Sequence, residues 1–159
     1  MQKLFLTFFY TGLSPKAPGT VGTIAGAFVA YFLVKYIPME TFMLLTIALS
    51  IVGIKVIDKY EQETKTHDNG QIVIDEVAGI WLAMCISLSV SFFQILLCVI
   101  FFRILDITKP SFIGKIDKNV KGGLGVMGDD LLAGAFAGIF AYASWHFLQQ
   151  IEFFTLYNF

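Results

Sequence analysis

The sequence predicts an all-α protein: a compact bundle of about five membrane-spanning or membrane-embedded helices with a short N-terminal interfacial helix, in one domain over residues 1–159. Three observations predict it. Hydrophobic residues make up 57% of the chain and charged residues only 14%, where soluble domains carry about 25% charge. A chain of 159 residues has too much surface for its volume to hide that much apolar area within itself, so the excess faces lipid or a partner, and lipid is the expectation. The apolar residues also fall into five separate runs.

In order, residues 3–10 hold Phe5, Phe8, Phe9 and Tyr10 beside Lys3, the composition of an interfacial helix. The runs follow at about 21–36, 41–57, 77–88, 92–105 and 131–148. Most fall short of the roughly 20 residues of a full crossing and lie around its floor of about 17, so they are borderline and their flanks must complete it. Pro38 with Glu40, and the Ser-rich stretch 87–91, are short breaks that make their helices antiparallel neighbours. The breaks at 58–75 and 106–130 are longer and hold most of the charge.

That charge is one-sided. If residues 1–20, 55–76 and 103–130 share a side, it carries every basic residue except Lys35 and every acid except Glu40 and Glu152. The positive-inside rule makes this side cytoplasmic. The aromatic carboxyl-terminal stretch 153–159 then falls outside, in reach of the interface belt. Net charge is −1, so no field draws in nucleic acid. Cys85 and Cys98 lie in apolar runs and read as buried reduced thiols, not a disulfide framework.

Four charged or glycine-rich blocks lie on the crowded side. Residues 12–23 form a Pro/Gly-rich loop entering a helix, with Thr20 or Thr23 as N-cap; helix N-termini suit phosphate. Residues 67–79 hold His67, Asp68, an Asn-Gly turn, Asp75, Glu76 and Gly79. The turn precedes a helix starting near Asp75, whose acids complement its dipole and also suit Mg²⁺, which takes a few carboxylate oxygens together with water and phosphate. Asp75 and Gly79 share a face, and the glycine leaves room for a neighbour. Arg103, the chain's one arginine, recurs with Asp106 and Lys109 at spacing three, on one helix face. A charge beside Phe101 and Phe102 is costly unless it faces the interior. Residues 117–130 repeat the second design, a glycine-rich loop and then Asp129 and Asp130 at the opening of a helix. Taken together, four carboxylates at helix starts, with basic residues nearby, have the layout of metal-assisted phosphoryl chemistry.

Residues 12–23, 67–79, 102–110 and 117–134, in this order and spacing, resemble the bacterial phosphatidylglycerophosphatase A family. The resemblance implies a lipid phosphatase of phospholipid biosynthesis that hydrolyses phosphatidylglycerophosphate to phosphatidylglycerol and inorganic phosphate with Mg²⁺, at the bacterial inner membrane with its site facing the cytoplasm. Carried over to this chain, it implies Asp75, Glu76, Asp129 and Asp130 as metal ligands and Thr20, Thr23, Arg103 and Lys109 as phosphate contacts. His67, Asp68 and Asp106, with Asp130, are the catalytic candidates for proton transfer and orientation. The expected partners are the phospholipid substrate and the bilayer.

Rival readings fit less well. Vanadium-peroxidase-like lipid phosphatases need several arginines and two active-site histidines; this chain has one arginine, and His146 sits near the outer end of the fifth run. CDP-alcohol phosphotransferases carry an Asp-Gly-x-x-Ala-Arg block that is missing. A membrane ion channel or transporter subunit would place polar groups near the midplane, not acids clustered at one end. A purely structural subunit has no use for paired acids beside glycine loops.

Overall fold

The structure is a computed structural model that describes residues 2–65, 69–110 and 120–157, with side chains through Ile151. Among these residues there is no strand. Helix α1 spans Gln2–Leu6, and a 3-10 turn at Thr11–Leu13 leads into α2, Pro18–Tyr36. Then follow α3, Met39–Thr64; α4, Ile74–Ser87; α5, Phe92–Thr108; and α6, Gly123–Tyr157. Each expected apolar run lies within one of α2 to α6, apart from Leu88, and α1 stands where the interfacial helix was expected.

Local chemistry sets the boundaries. Pro38 stands just before α3. The Asn-Gly turn closes through Ile72 N–H donating to Asn69 O at 2.8 Å. The Ser-rich break supplies a capping box, in which the Ser91 side chain accepts from Gln94 N–H while the Gln94 side chain accepts from Ser91 N–H. Pro110 follows a left-handed Lys109 (φ 38) at the end of α5.

Two helix starts differ from expectation. α2 begins at Pro18, a position proline favours, so Thr20 and Thr23 lie inside the helix and neither caps it; the cap is Ala17. Thr23 instead turns its hydroxyl back to Gly19 O at 2.8 Å. α6 begins at Gly123, so Asp129 and Asp130 sit nearly two turns inside the helix and do not open it. Gly123, which reads as loop, is helical because tertiary contacts hold it. A Cβ on Gly123 would lie 2.2 Å from Ile54 O, and Gly123 N–H donates to Asp58 Oδ1 at 2.6 Å. Gly122 itself takes φ 78, which glycine adopts without strain. Asp58, from α3, thus caps a helix whose own cap residue has no side chain.

α4 is the central helix, packed against α2, α3, α5 and α6. Asp75, Val77, Ala78, Gly79, Ile80, Trp81, Ala83, Met84 and Cys85 are all buried, as expected of a helix that is apolar all round. Small residues let its neighbours approach. Gly22 and Gly26 of α2 lie against Val73 and Val77, and Trp81 Nε1 donates to Gly26 O at 2.9 Å. Between α4 and α6 the contact is backbone to backbone: a Cβ on Gly134 would lie 2.2 Å from Gly79 O, and one on Gly138 2.7 Å from Ala83 O. Such small-residue seams are how helices associate where no hydrophobic force separates lipid from protein.

α2, α3 and the Gly123–Ile151 part of α6 are long and apolar enough to cross a membrane. α4 and α5, at 14 and 17 residues, reach roughly 21 and 25 Å. Outward-facing side chains are large and apolar, among them Phe28, Leu44, Ile51, Phe93 and Ile139. Cys85 and Cys98 are buried free thiols.

Candidate active site

The antiparallel chain path brings the starts of α2, α4 and α6 and the ends of α3 and α5 to one end of the bundle. A cavity of about 310 Å³ opens there, lined by Gly19, Asp75, Glu76, Arg103, Asp106, Lys109, Asp129 and Asp130 among others. Three of the four long-range blocks read from the sequence contribute acids or bases to it, and the fourth contributes Ala17, Pro18 and Gly19.

Asp75 and Glu76 stand in the first turn of α4, and Asp130 comes from α6. One carboxylate oxygen of each lies within 4.8 Å of the others. Gly79, one turn beyond Asp75, makes this convergence possible. A Cβ there would lie 2.8 Å from Asp130 O and 2.5 Å from the Phe102 ring, so any larger residue would hold α6 and its acid away.

These carboxylates are dry. Asp75 is 8% exposed and Asp130 4%, and buried Asp75 Oδ1 and Glu76 Oε2 have no hydrogen-bond partner within the protein. Burial, reinforced by the adjacent Glu76 charge, pushes the Asp75 carboxyl well above its ordinary value. Burial likewise raises Glu76. Both residues lie outside the three helices that are long and apolar enough to cross a membrane. Converging carboxylates with unsatisfied buried oxygens are a donor set that fits a hard divalent cation, which removes both the repulsion and the orphaned acceptors.

The basic residues are held by acids of their own. Arg103 Nη1 donates to Asp106 Oδ2 at 2.5 Å and to Thr23 Oγ1 at 3.5 Å, while its buried Nε has no partner. Lys109 Nζ donates to Asp129 Oδ2 at 2.6 Å. Asp129 therefore lines the cavity but lies outside the three-carboxylate cluster. Thr23 is fully buried behind Arg103, and neither Thr20 nor Thr23 lines the cavity. His67 and Asp68 lie outside the described residues.

One role and one residue escaped sequence reading, the close approach at Gly19 and the cap from Asp58. Gly19 is a close-approach position, since a Cβ would lie 2.2 Å from Glu76 Oε1 and 3.3 Å from Arg103 Nη1. Asp58 fixes the start of α6 through an amide 65 residues away, a pairing with no local signature.

Comparison with known proteins bears on this arrangement. The sequence model of the family described as phosphatidylglycerophosphatase A matches residues 4–145. The protein named phosphatidylglycerophosphatase A of Escherichia coli (strain K12) is 34% identical over 139 residues, covering 87% of this chain and 80% of its own. Its namesake in Haemophilus influenzae is 33% identical over 135 residues, covering 85% and 83%. A Bacteroides thetaiotaomicron protein named putative phosphatidylinositol-3-phosphatase is 34% identical over 149 residues, covering 87% and 91%. No solved structure matches. With acids and bases from distant segments gathered in one cavity, and with the match running through nearly all of the described helices, the chain belongs to the phosphatidylglycerophosphatase A family of enzymes.

Proposed function

We propose that this protein hydrolyses phosphatidylglycerophosphate to phosphatidylglycerol and inorganic phosphate, with Mg²⁺, as a step of phospholipid biosynthesis. It works in the bacterial inner membrane with the cavity on the cytoplasmic side. The observation that carries the reading is the meeting of Asp75, Glu76 and Asp130 within 4.8 Å in a cavity that also presents Arg103 and Lys109. Orientation rests on the charge asymmetry, since the cavity end carries Lys16, Lys55, Lys59, Arg103, Lys109 and Lys121.

Asp75, Glu76 and Asp130 would hold the ion, with Asp129 beside them. Bound there, Mg²⁺ supplies Lewis acidity toward the phosphoryl oxygens and activates water. The chain's own groups do the rest. Arg103 and Lys109 offer donors to the non-bridging phosphoryl oxygens, and a guanidinium matches the geometry of a phosphate. Asp106 and Thr23 fix where Arg103 points; Asp129 does the same for Lys109. In-line displacement breaks the bond between phosphorus and the glycerol oxygen as water oxygen bonds to phosphorus. The attacking water gives up a proton and the departing alkoxide takes one up, so the net transfer is from water to the glycerol oxygen; His67 and Asp68 are the proposed carriers, and Asp106, paired with Arg103, is the orienting group. Low-dielectric walls strengthen each of these interactions.

The test is phosphate release by purified protein from phosphatidylglycerophosphate, with Mg²⁺ and with EDTA. Release that EDTA abolishes and Mg²⁺ restores is expected, with Asp130→Asn at least roughly a hundredfold slower, as for removal of a group stabilising transition-state charge. Full activity in Asp130→Asn would remove Asp130 from the site. Phosphatidylinositol 3-phosphate belongs in the same assay, because the Bacteroides relative's name points to that headgroup. Faster release from it would reassign the substrate.

A further inference from the structure

We propose that the furrow between α2 and α5 is a binding site for one acyl chain of the phospholipid whose phosphate enters the polar cavity. The choice of headgroup rests on the phosphatase reading; the furrow rests on separate observations.

The furrow encloses about 430 Å³ and presents only carbon surface, with Ile24, Ala27 and Phe28 on one side and Ile95, Leu96 and Val99 on the other. That volume lies in the range of specific ligand sites, about 300–1,000 Å³. Ala27 makes it deep. Its side chain is small and 6% exposed, a floor between Ile24 and Phe28, which are 56% and 63% exposed.

Proximity to the polar cavity identifies the occupant. Both draw lining residues from α2 and α5. Gly19 and Arg103 line the cavity; Ile24 lies five residues along α2 from Gly19, and Val99 four residues along α5 from Arg103. At 1.5 Å per residue the interval is roughly 6–8 Å. The contact between Arg103 and Thr23 crosses it, marking where polar lining gives way to apolar lining. A molecule with phosphate in the cavity and hydrocarbon in the furrow must carry a short polar linkage between them, which is the anatomy of a phosphoglyceride. The furrow runs on to Phe92, eleven residues from Arg103, so roughly 16 Å of helix is available to one extended chain.

A phosphatidylglycerophosphate carrying a diazirine midway along one acyl chain tests this in the purified, detergent-solubilised protein. Labelling is expected to concentrate on residues 24–31 and 92–99 and to be lost in Ala27→Phe, which fills the furrow. Labelling spread equally over other outward residues, such as Leu44 and Ile139, would mean that bulk lipid or detergent occupies the furrow and would overturn the proposal. Kinetics give a second readout. Ala27→Phe is expected to raise KM for the dipalmitoyl substrate about tenfold, equivalent to roughly two methylenes leaving apolar contact, with the dihexanoyl substrate unchanged. An equal effect on both would also overturn it. Leu96→Trp, at a half-exposed position, serves if Ala27→Phe fails to fold; Leu44→Trp is the control on a different lipid-facing surface. Phosphate release from the same preparations judges the reaction separately. Focused labelling without release sinks the phosphatase reading alone, and release with scattered labelling sinks the furrow alone.

Discussion

Replacing Gly19 with alanine separates catalysis from stability. The new Cβ would lie 2.2 Å from Glu76 Oε1, where ordinary contact begins near 3.4 Å. The carboxylate oxygen must therefore retreat by about 1.2 Å (3.4 − 2.2), a displacement of the size that costs roughly a hundredfold when imposed on catalytic geometry. That factor is about 2.7 kcal/mol of transition-state stabilisation. The fold itself has little to lose. The displaced atom is the end of a side chain, not backbone, and Gly→Ala at a compatible helical position stabilises by about 0.4–1 kcal/mol through the unfolded chain. Gly19→Ala is thus expected to unfold at or slightly above the wild-type temperature while kcat falls about a hundredfold and more Mg²⁺ is needed for half-maximal rate. Phosphate release titrated with Mg²⁺, beside a thermal melt, measures both. Gly70→Ala is the control, because Gly70 also lines the cavity but a Cβ there meets nothing within 4 Å. A folded Gly19→Ala protein within about threefold of wild-type kcat would refute the placement of Glu76 in the reacting constellation, since the hundredfold expectation derives from that placement.

Further expectations follow from the same structure. Burial raises Asp75 and Glu76, so the metal-free folded state retains protons that the unfolded chain releases. Its stability is then greatest below the ordinary carboxylate range, about 4, and falls as pH rises through the raised folded values. Mg²⁺ must displace those protons, and the increase in melting temperature on adding it should be larger at pH 8 than at pH 5; equal increments would refute the assignment. Asp58→Ala removes the only side chain that caps α6 at Gly123 among the described residues and should cost about 1 kcal/mol, or a few degrees of melting temperature, with Asp58→Asn largely retaining the cap. Gly134→Ala places a Cβ 2.2 Å from a backbone oxygen of α4, which cannot rotate away. It should destabilise by about 1–3 kcal/mol and also slow phosphate release, because α6 carries Asp130; unchanged melting and rate would mean that the two helices are not in backbone contact.

The sequence makes the helices and the acids legible, and the reason is physical. Long apolar runs interrupted by Pro38, by the Ser-rich break and by the Asn-Gly turn leave few ways to fold, and uncompensated acids at one edge of such runs require a shared neutralising partner. The start of α6 was not legible. Gly122, Gly123 and Gly125 have the local preference of a loop, and the distant Asp58 and Ile54 are what hold the helix start at Gly123. Thr20 and Thr23 looked like caps because their short side chains compete for nearby amides, yet Pro18 starts α2 earlier and Thr23 spends its hydroxyl inside the helix. Asp129 and Asp130 are indistinguishable as adjacent letters. The helix turns them about 100° apart, so one meets Lys109 and the other meets Asp75 and Glu76.

Asp130 lies seven residues inside α6, roughly 10 Å from the end of that helix, and this recess has a consequence for selectivity. A dissolved phosphate ester reaching it would have to shed its hydration while descending, with no hydrophobic gain in return. A bilayer-borne ester already travels in a plane beside the recess and surrenders less water. On the proposed phosphatase reading, the recess would sort phosphate esters by the dimension in which they diffuse before any side chain inspects their headgroups.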